Sequence, residues 1–207
     1  MTLKTEDFSR IRPYLFHLTA KANIPKIRNE RILYCSAILM SHSPALLKHK
    51  RAASLQTEHN GVQVQVRDQA PLHLGNIRFE GGWTFADLLQ SLNGRVFFWP
   101  GKSAGPIPYG VRHFCRYRRD NPVILRVRFD DVINANPECP PEFCKFNSGS
   151  PRCTGGQRSP RGPNTFLSAQ EACFSPASVV EVTFPNRMFL PSVVEFASSL
   201  EGPWQAL

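Results

Sequence analysis

The chain predicts a mixed α+β domain, on three observations. Strand-like and helix-like segments are interspersed without the regular strand–helix–strand alternation of a parallel sheet. Several strands are short, which fits two small sheets folded against each other. And 207 residues with 42% apolar and 11% aromatic content can bury a core without disulfide staples. A single domain over residues 1–207 is expected, because no linker or repeat divides it.

Each element follows from its own residues. Tyr14 to Leu18 reads as a short buried strand. Asn23 is a candidate cap for the next helix, with Pro25 tolerated in its first turn. "SPALLKHKRAASLQ" repeats that signature with Ser43 and Pro44, so a second helix carrying Lys48, Lys50 and Arg51 is expected. "VQVQVR", Val62 to Arg67, alternates and should be a strand with one wet face. "WTFADLLQSLNG" is a helix opened by Thr84 and stopped by Gly94. "RVFFWP" is too continuously apolar for a solvent face and should be central. "YGVRHFCRYRR" is a basic helix, and "PVILRVRF" an alternating strand. From Cys139 to Thr165 proline and glycine supply nine residues, so a long loop is expected there, functional or disordered. "ASVVEVTFP" resumes as a strand, and "PSVVEFASSLEGPW" reads as either a strand or a closing helix.

The start, "MTLKTEDFSRIRPY", has no apolar core of a secretory leader, and no apolar run approaches the roughly 20 residues of a membrane helix. A soluble cytoplasmic protein without a membrane partner is the expectation. Six cysteines then read as free thiols. Cys139, Cys144 and Cys153 cluster, but without paired C-x-x-C knuckles or a histidine at ligand spacing, so no metal site is assigned. The net charge of +9, from 25 basic against 16 acidic residues, favours a polyanionic partner or a phosphate-rich ligand, although it also serves solubility.

A few residues stand out chemically. Glu181 sits among valines in an apolar strand, where an ionised carboxylate needs partners or a cleft unless it falls on the wet face. His17 and Thr19 fall on one face of a strand end before a helix start, as a polar ligand site or a half-buried pair. Phe97, Phe98 and Trp99 are core residues by default, but a strand running into "PGKSAGP" can expose ring faces for a heterocycle. Arg152, Arg158 and Arg161 make the irregular segment basic, either as a solvated face or as an anion-binding one.

The order of these pieces resembles a known family. "LFHLTAKANIPKI" is similar to the His-x-Thr and Asn-containing opening of the ADP-ribosyltransferases, the DarT group in particular. "VFFWPGKSAGP" is similar to that group's aromatic strand and turn, with Lys102 where an arginine is often found. "SVVEVTFPNRMFLP" resembles its late strand bearing the catalytic glutamate. The chain also resembles a set of uncharacterised bacterial domains sharing "LNGRVFFWP" and "RGPNTF".

The resemblance implies an ADP-ribosyltransferase-like split β-sandwich around a cleft for NAD⁺, used as a substrate. Glu181 would be catalytic, with Arg51 near the group's functional arginine. His17, Leu18, Thr19 and Asn23 would bind the cofactor, with Phe97, Phe98 and Trp99 lining its nicotinamide pocket. The loop with Arg152, Arg158 and Arg161 would recognise the substrate. Loss of nicotinamide builds positive charge on the ribose, which a fixed carboxylate stabilises while helping to deprotonate the attacking group. With the charge excess, the expected activity is transfer of ADP-ribose to a single-stranded DNA or RNA base. Such transferases are often toxins or defence effectors with an antitoxin or immunity partner. Protein-directed transfer, NAD⁺ hydrolysis and a non-catalytic nucleotide-binding module are the alternatives.

Overall fold

The computed structural model of the protein describes residues 2–207. Helix α1 (Thr5–Ile11) leads into strand β1 (Tyr14–Ala20), a 3-10 turn and helix α2 (Ile24–Glu30). Strand β2 (Ile32–Tyr34) and helix α3 (Ser36–Leu39) follow, then a hairpin of β3 (Leu55–His59) and β4 (Val62–Val66). After β5 (Ile77–Phe79) come α4 (Phe85–Asn93), β6 (Arg95–Lys102), β7 (Gly105–Pro106) and α5 (Pro108–Tyr117). Strand β8 (Pro122–Arg128) passes into α6 (Phe129–Ala135), followed by β9 (Glu142–Cys144) and β10 (Ser159–Arg161). The chain ends with β11 (Glu181–Pro185), β12 (Arg187–Phe189), β13 (Glu195–Ala197) and β14 (Gln205–Ala206). The mixed α+β class is as expected.

The main sheet is antiparallel, in the order β14-β13-β8-β1-β6-β11-β9, with β7 also paired to β6. The apolar run in β6 is central, with β1 on one edge and β11 on the other. Phe8, Leu15, Phe98, Leu125, Val127, Phe129, Phe143, Val182 and Phe184 form the largest core cluster. A second cluster packs Leu88, Leu89 and Leu92 of α4 against Leu72, Ile77 and Phe166. Three two-stranded ribbons, β2–β12, β3–β4 and β5–β10, lie outside the main sheet.

Several local expectations hold. Thr84 caps α4 reciprocally with Asp87, and Gly94 stands at its C-cap. The strand at Val62–Val66 and the helix ending at Tyr117 form.

Others are corrected. The helix expected from Ser43 is only a 3-10 turn, Pro44–Lys48, and the Ser43 side chain makes no cap bond. Residues 49–54 are irregular, and only from Leu55 does the chain pair with β4, through a tight turn in which Asn60 and Gly61 both have positive φ. That conformation suits the twist of a two-residue hairpin. The segment after Pro191, left open between a strand and a closing helix, takes the strand form, fixed by the 2.7 Å ion pair between Arg126 and Glu195 and by Arg126 over the Trp204 ring. The Pro/Gly-rich stretch is not wholly irregular, since it contributes β9 to the main sheet and β10 to a parallel pair with β5.

Candidate functional site

A cleft opens where two neighbouring strands part. β1 pairs with β8 along its whole length, to Ala20 opposite Pro122, but with β6 only from Tyr14–Gly101 to Phe16–Trp99. Upstream of Trp99, β6 is paired on its other edge with β11. The carbonyl of Phe97 therefore has no strand partner on the β1 side, and the Nδ1–H of His17 donates to it at 2.9 Å. A carbonyl only accepts, so Nδ1 carries the proton and Nε2 is left as an acceptor. Burial, with a smaller push from the Arg67 charge and against the hydrogen bond to Phe97, lowers the His17 pKa to about 4. The ring is neutral at physiological pH.

The opening is a cavity of about 250 Å³ lined by His17, Leu18, Thr19 and Asn23 on one side and by Phe97, Trp99 and Glu181 on another. The β4 ribbon closes a third side, and Asn23 holds it there. Its Nδ2 donates to the Gln65 carbonyl at 2.9 Å, and its Oδ1 accepts from the Gln65 N–H at 2.8 Å. The amide thus imitates one rung of a β-ladder. The same Nδ2 reaches the Thr19 hydroxyl at 3.1 Å. Asn23 is therefore not the helix cap expected for α2, whose start has no side-chain cap bond.

Glu181 opens β11 and is only 3% exposed. Its carboxylate accepts from the Ser148 hydroxyl at 2.6 Å and from the Ser148 N–H at 3.2 Å. Burial dominates and raises its pKa to about 7, while the two Ser148 donors and the nearby Arg161 charge pull the other way. Arg161 is 1% exposed and grips the loop from behind, its Nη2 donating to Asn147 O at 2.8 Å and its Nε to Ser148 O at 3.3 Å. The guanidinium thus fixes the peptide that faces Glu181. A carboxyl group titrating near neutrality inside a cleft is a common attribute of catalytic acids and bases.

The remaining wall is aromatic. His113 stacks on Trp99 with 4.4 Å between ring centroids, and Tyr117 follows at 4.9 Å. Tyr117 donates its hydroxyl to Asp68 at 2.9 Å, and Arg67 lies 4.2 Å above its ring. Burial, with the nearby charges of Arg67 and Arg116, lowers the His113 pKa to about 3. Trp99 Nε1 is buried with no hydrogen-bond acceptor among the described residues.

The structure gathers His17, Leu18, Thr19, Asn23, Arg51, Phe97, Trp99 and Glu181 around one cavity. Phe98 is a correction: alternation turns it to the opposite face, where it is fully buried against Phe184. Arg51 lines the cavity, but its guanidinium is spent on Asn93 Oδ1 at 2.8 Å and Arg67 O at 3.0 Å, and it does not ride on a helix. Arg161 is corrected too, since it is sealed behind Glu181 rather than offered to a substrate. Arg152 and Arg158 are exposed on the turn that continues from the cavity-lining residues Asn147 to Ser150. Ser148, Arg67, His113 and Tyr117 were not singled out by sequence. Ser148 looks like its neighbours Ser150 and Ser159, and the other three lie at the end of a strand and on a helix read only as basic.

A family model described as a family of unknown function, DUF7002, matches residues 13–190. No curated protein and no solved structure matches the chain.

Proposed function

The chain belongs to the DUF7002 family, and we propose that its cleft cleaves the nicotinamide–ribose bond of NAD⁺ and transfers ADP-ribose to a nucleic acid. One observation carries the reading: a neutral His17 and Thr19 near the N-terminus share a cavity with the buried Glu181 near the C-terminus. The motif order that resembles the ADP-ribosyltransferases supports it, as does the parting of β1 from β6, which suits a split β-sandwich of that type.

The residues fit the proposed substrate. Trp99 Nε1 is a buried donor for which no described residue supplies an acceptor. His17, which lines the same cavity, retains one acceptor nitrogen. A cavity of about 250 Å³ is near the lower end of small-molecule sites, roughly 300 Å³. That size suits the nicotinamide–ribose half, with the adenosine half at the mouth.

NAD⁺ when bound supplies a glycosidic bond whose breakage leaves positive charge on the sugar. Glu181 supplies the opposing negative charge in a site shielded from water, where it counts for more than in solvent. Ser148 keeps that carboxylate in one orientation and favours its ionised form. As a base, Glu181 takes the proton of the incoming group, for which a pKa of about 7 is well matched. The exposed Arg152 and Arg158 beside the cavity, and Arg112 and Arg116 on α5, supply positive charge for a polyanionic acceptor.

Nicotinamide release from NAD⁺, measured with and without single-stranded DNA or RNA, tests the proposal. Release that requires nucleic acid and labels it is expected. Release without any labelled acceptor would indicate hydrolysis, label on protein alone would remove the nucleic-acid part, and binding without release would leave a nucleotide-binding module.

A further inference from the structure

The cationic side chains around the cavity are already committed, with one exception. Lys26 bonds Glu30 and the His59 carbonyl. Arg51 is held by Asn93 and Arg67 O, and Arg95 is bidentate on Glu142, with Nε at 2.6 Å and Nη2 at 3.1 Å. Arg67 lines the same cavity, half-buried, and no acceptor among the described residues takes its guanidinium N–H groups. It is nevertheless well placed. Its guanidinium carbon rests 4.2 Å from the centre of the Tyr117 ring, whose hydroxyl is tied to Asp68, and its backbone carbonyl is held by Arg51. Stacking on an aromatic ring orients a guanidinium without consuming its donors.

We propose that Arg67 is the anion-binding residue of the cleft, taking a phosphate or carboxylate of the bound ligand through its unpaired N–H donors. A planar fork of donors matches either group in bidentate fashion. The two imidazoles nearest in the cavity, His17 and His113, are both neutral, so they add no competing charge. Arg51, the residue that the motif order suggested, then serves the site indirectly, by holding the Arg67 backbone in place. The inference rests on the proposed function only in taking the cleft as a ligand site, and it does not require that NAD⁺ be cleaved.

Calorimetric titration of the full chain with ADP, adenosine and malonate tests it, using Arg67→Gln and Arg67→Lys. ADP should bind the wild type and lose at least ten-fold in affinity in Arg67→Gln, with adenosine unchanged. Arg67→Lys should recover only part of the loss, because an ammonium is a point charge without the flat fork. The same loss for malonate alone would assign the site to carboxylates. Equal binding of ADP and malonate by wild type and both variants, all melting alike, would overturn the inference. Nicotinamide release is read separately: its absence with Arg67-dependent ADP binding retained would sink the transferase reading and leave this one standing.

Discussion

Glu181 keeps a carboxyl group at the first position of β11 in a nearly water-free setting, and the Ser148 bonds do not fully compensate it. Its pKa stands near 7 in the fold against 4.5 in the unfolded chain. Between those values the unfolded state gives up a proton that the folded state keeps, so stability falls as pH rises through that window. Glu181→Gln should therefore melt higher than wild type at pH 8 and close to it at pH 4, in scanning calorimetry. The same change should lower nicotinamide release by about 10²–10³-fold while NAD⁺ still binds, as expected for loss of one transition-state charge contact. Ser148→Ala should raise the Glu181 pKa further and move the rising limb of the pH–rate profile to higher pH. A limb that stays where it is would show that Ser148 does not tune this carboxyl. Glu181 itself was legible, because a charge among valines is unusual. Its partner was not, since nothing distinguishes one loop serine from another before the chain folds.

At the scale of elements, the β3–β4 ribbon is a separate wall, and two buried polar side chains fasten it. Asn23 bonds the Gln65 backbone, and Arg51 joins the Arg67 carbonyl to Asn93 in α4. Removing one partner of a buried polar pair leaves the other unsatisfied, so Asn23→Ala should cost about 1–3 kcal/mol in chemical denaturation. Arg51→Ala should destabilise by about 1.5–3 kcal/mol, because the Arg67 carbonyl loses its donor and Asn93 keeps only the Gln69 amide on its oxygen. A variant at Arg51 that melts normally but loses catalysis would instead restore it to a direct role. The long elements, β6, β8, α4 and α5, were readable because each carries a full period of its pattern. Three-residue strands such as β2, β9 and β12 hold too few residues to show any period. The hairpin had its signal in Asn60-Gly61, whereas Ser43-Pro44 upstream suggested a helix that goes no further than the 3-10 turn at Pro44–Lys48. Phe98 was misplaced for a related reason: three consecutive aromatics on a strand cannot share a face.

Taken whole, the molecule carries +9 at pH 7, and part of that charge is exposed on α5 and on the 152–158 turn beside the cleft. Binding of a fluorescent single-stranded oligonucleotide should weaken steeply between 50 and 200 mM salt, as phosphate contacts release counterions. Replacing Arg112 and Arg116 by Ser should flatten the salt dependence by about one unit of slope per lost contact. An unchanged slope would move the acceptor path to another face. Among the described residues no helix is long and apolar enough to cross a membrane. The early separation of β1 from β6 has one more consequence. A sheet normally spends every inner carbonyl on its neighbour, but here the Phe97 oxygen is bound by an imidazole instead. Losing that ring should do two things at once: empty a position in the cavity, and leave an inner backbone acceptor open to water or to renewed strand pairing. His17→Val, which has no donor to give, is thus expected to favour zipping of the two strands and narrowing of the cavity, so that architecture and recognition share a single proton.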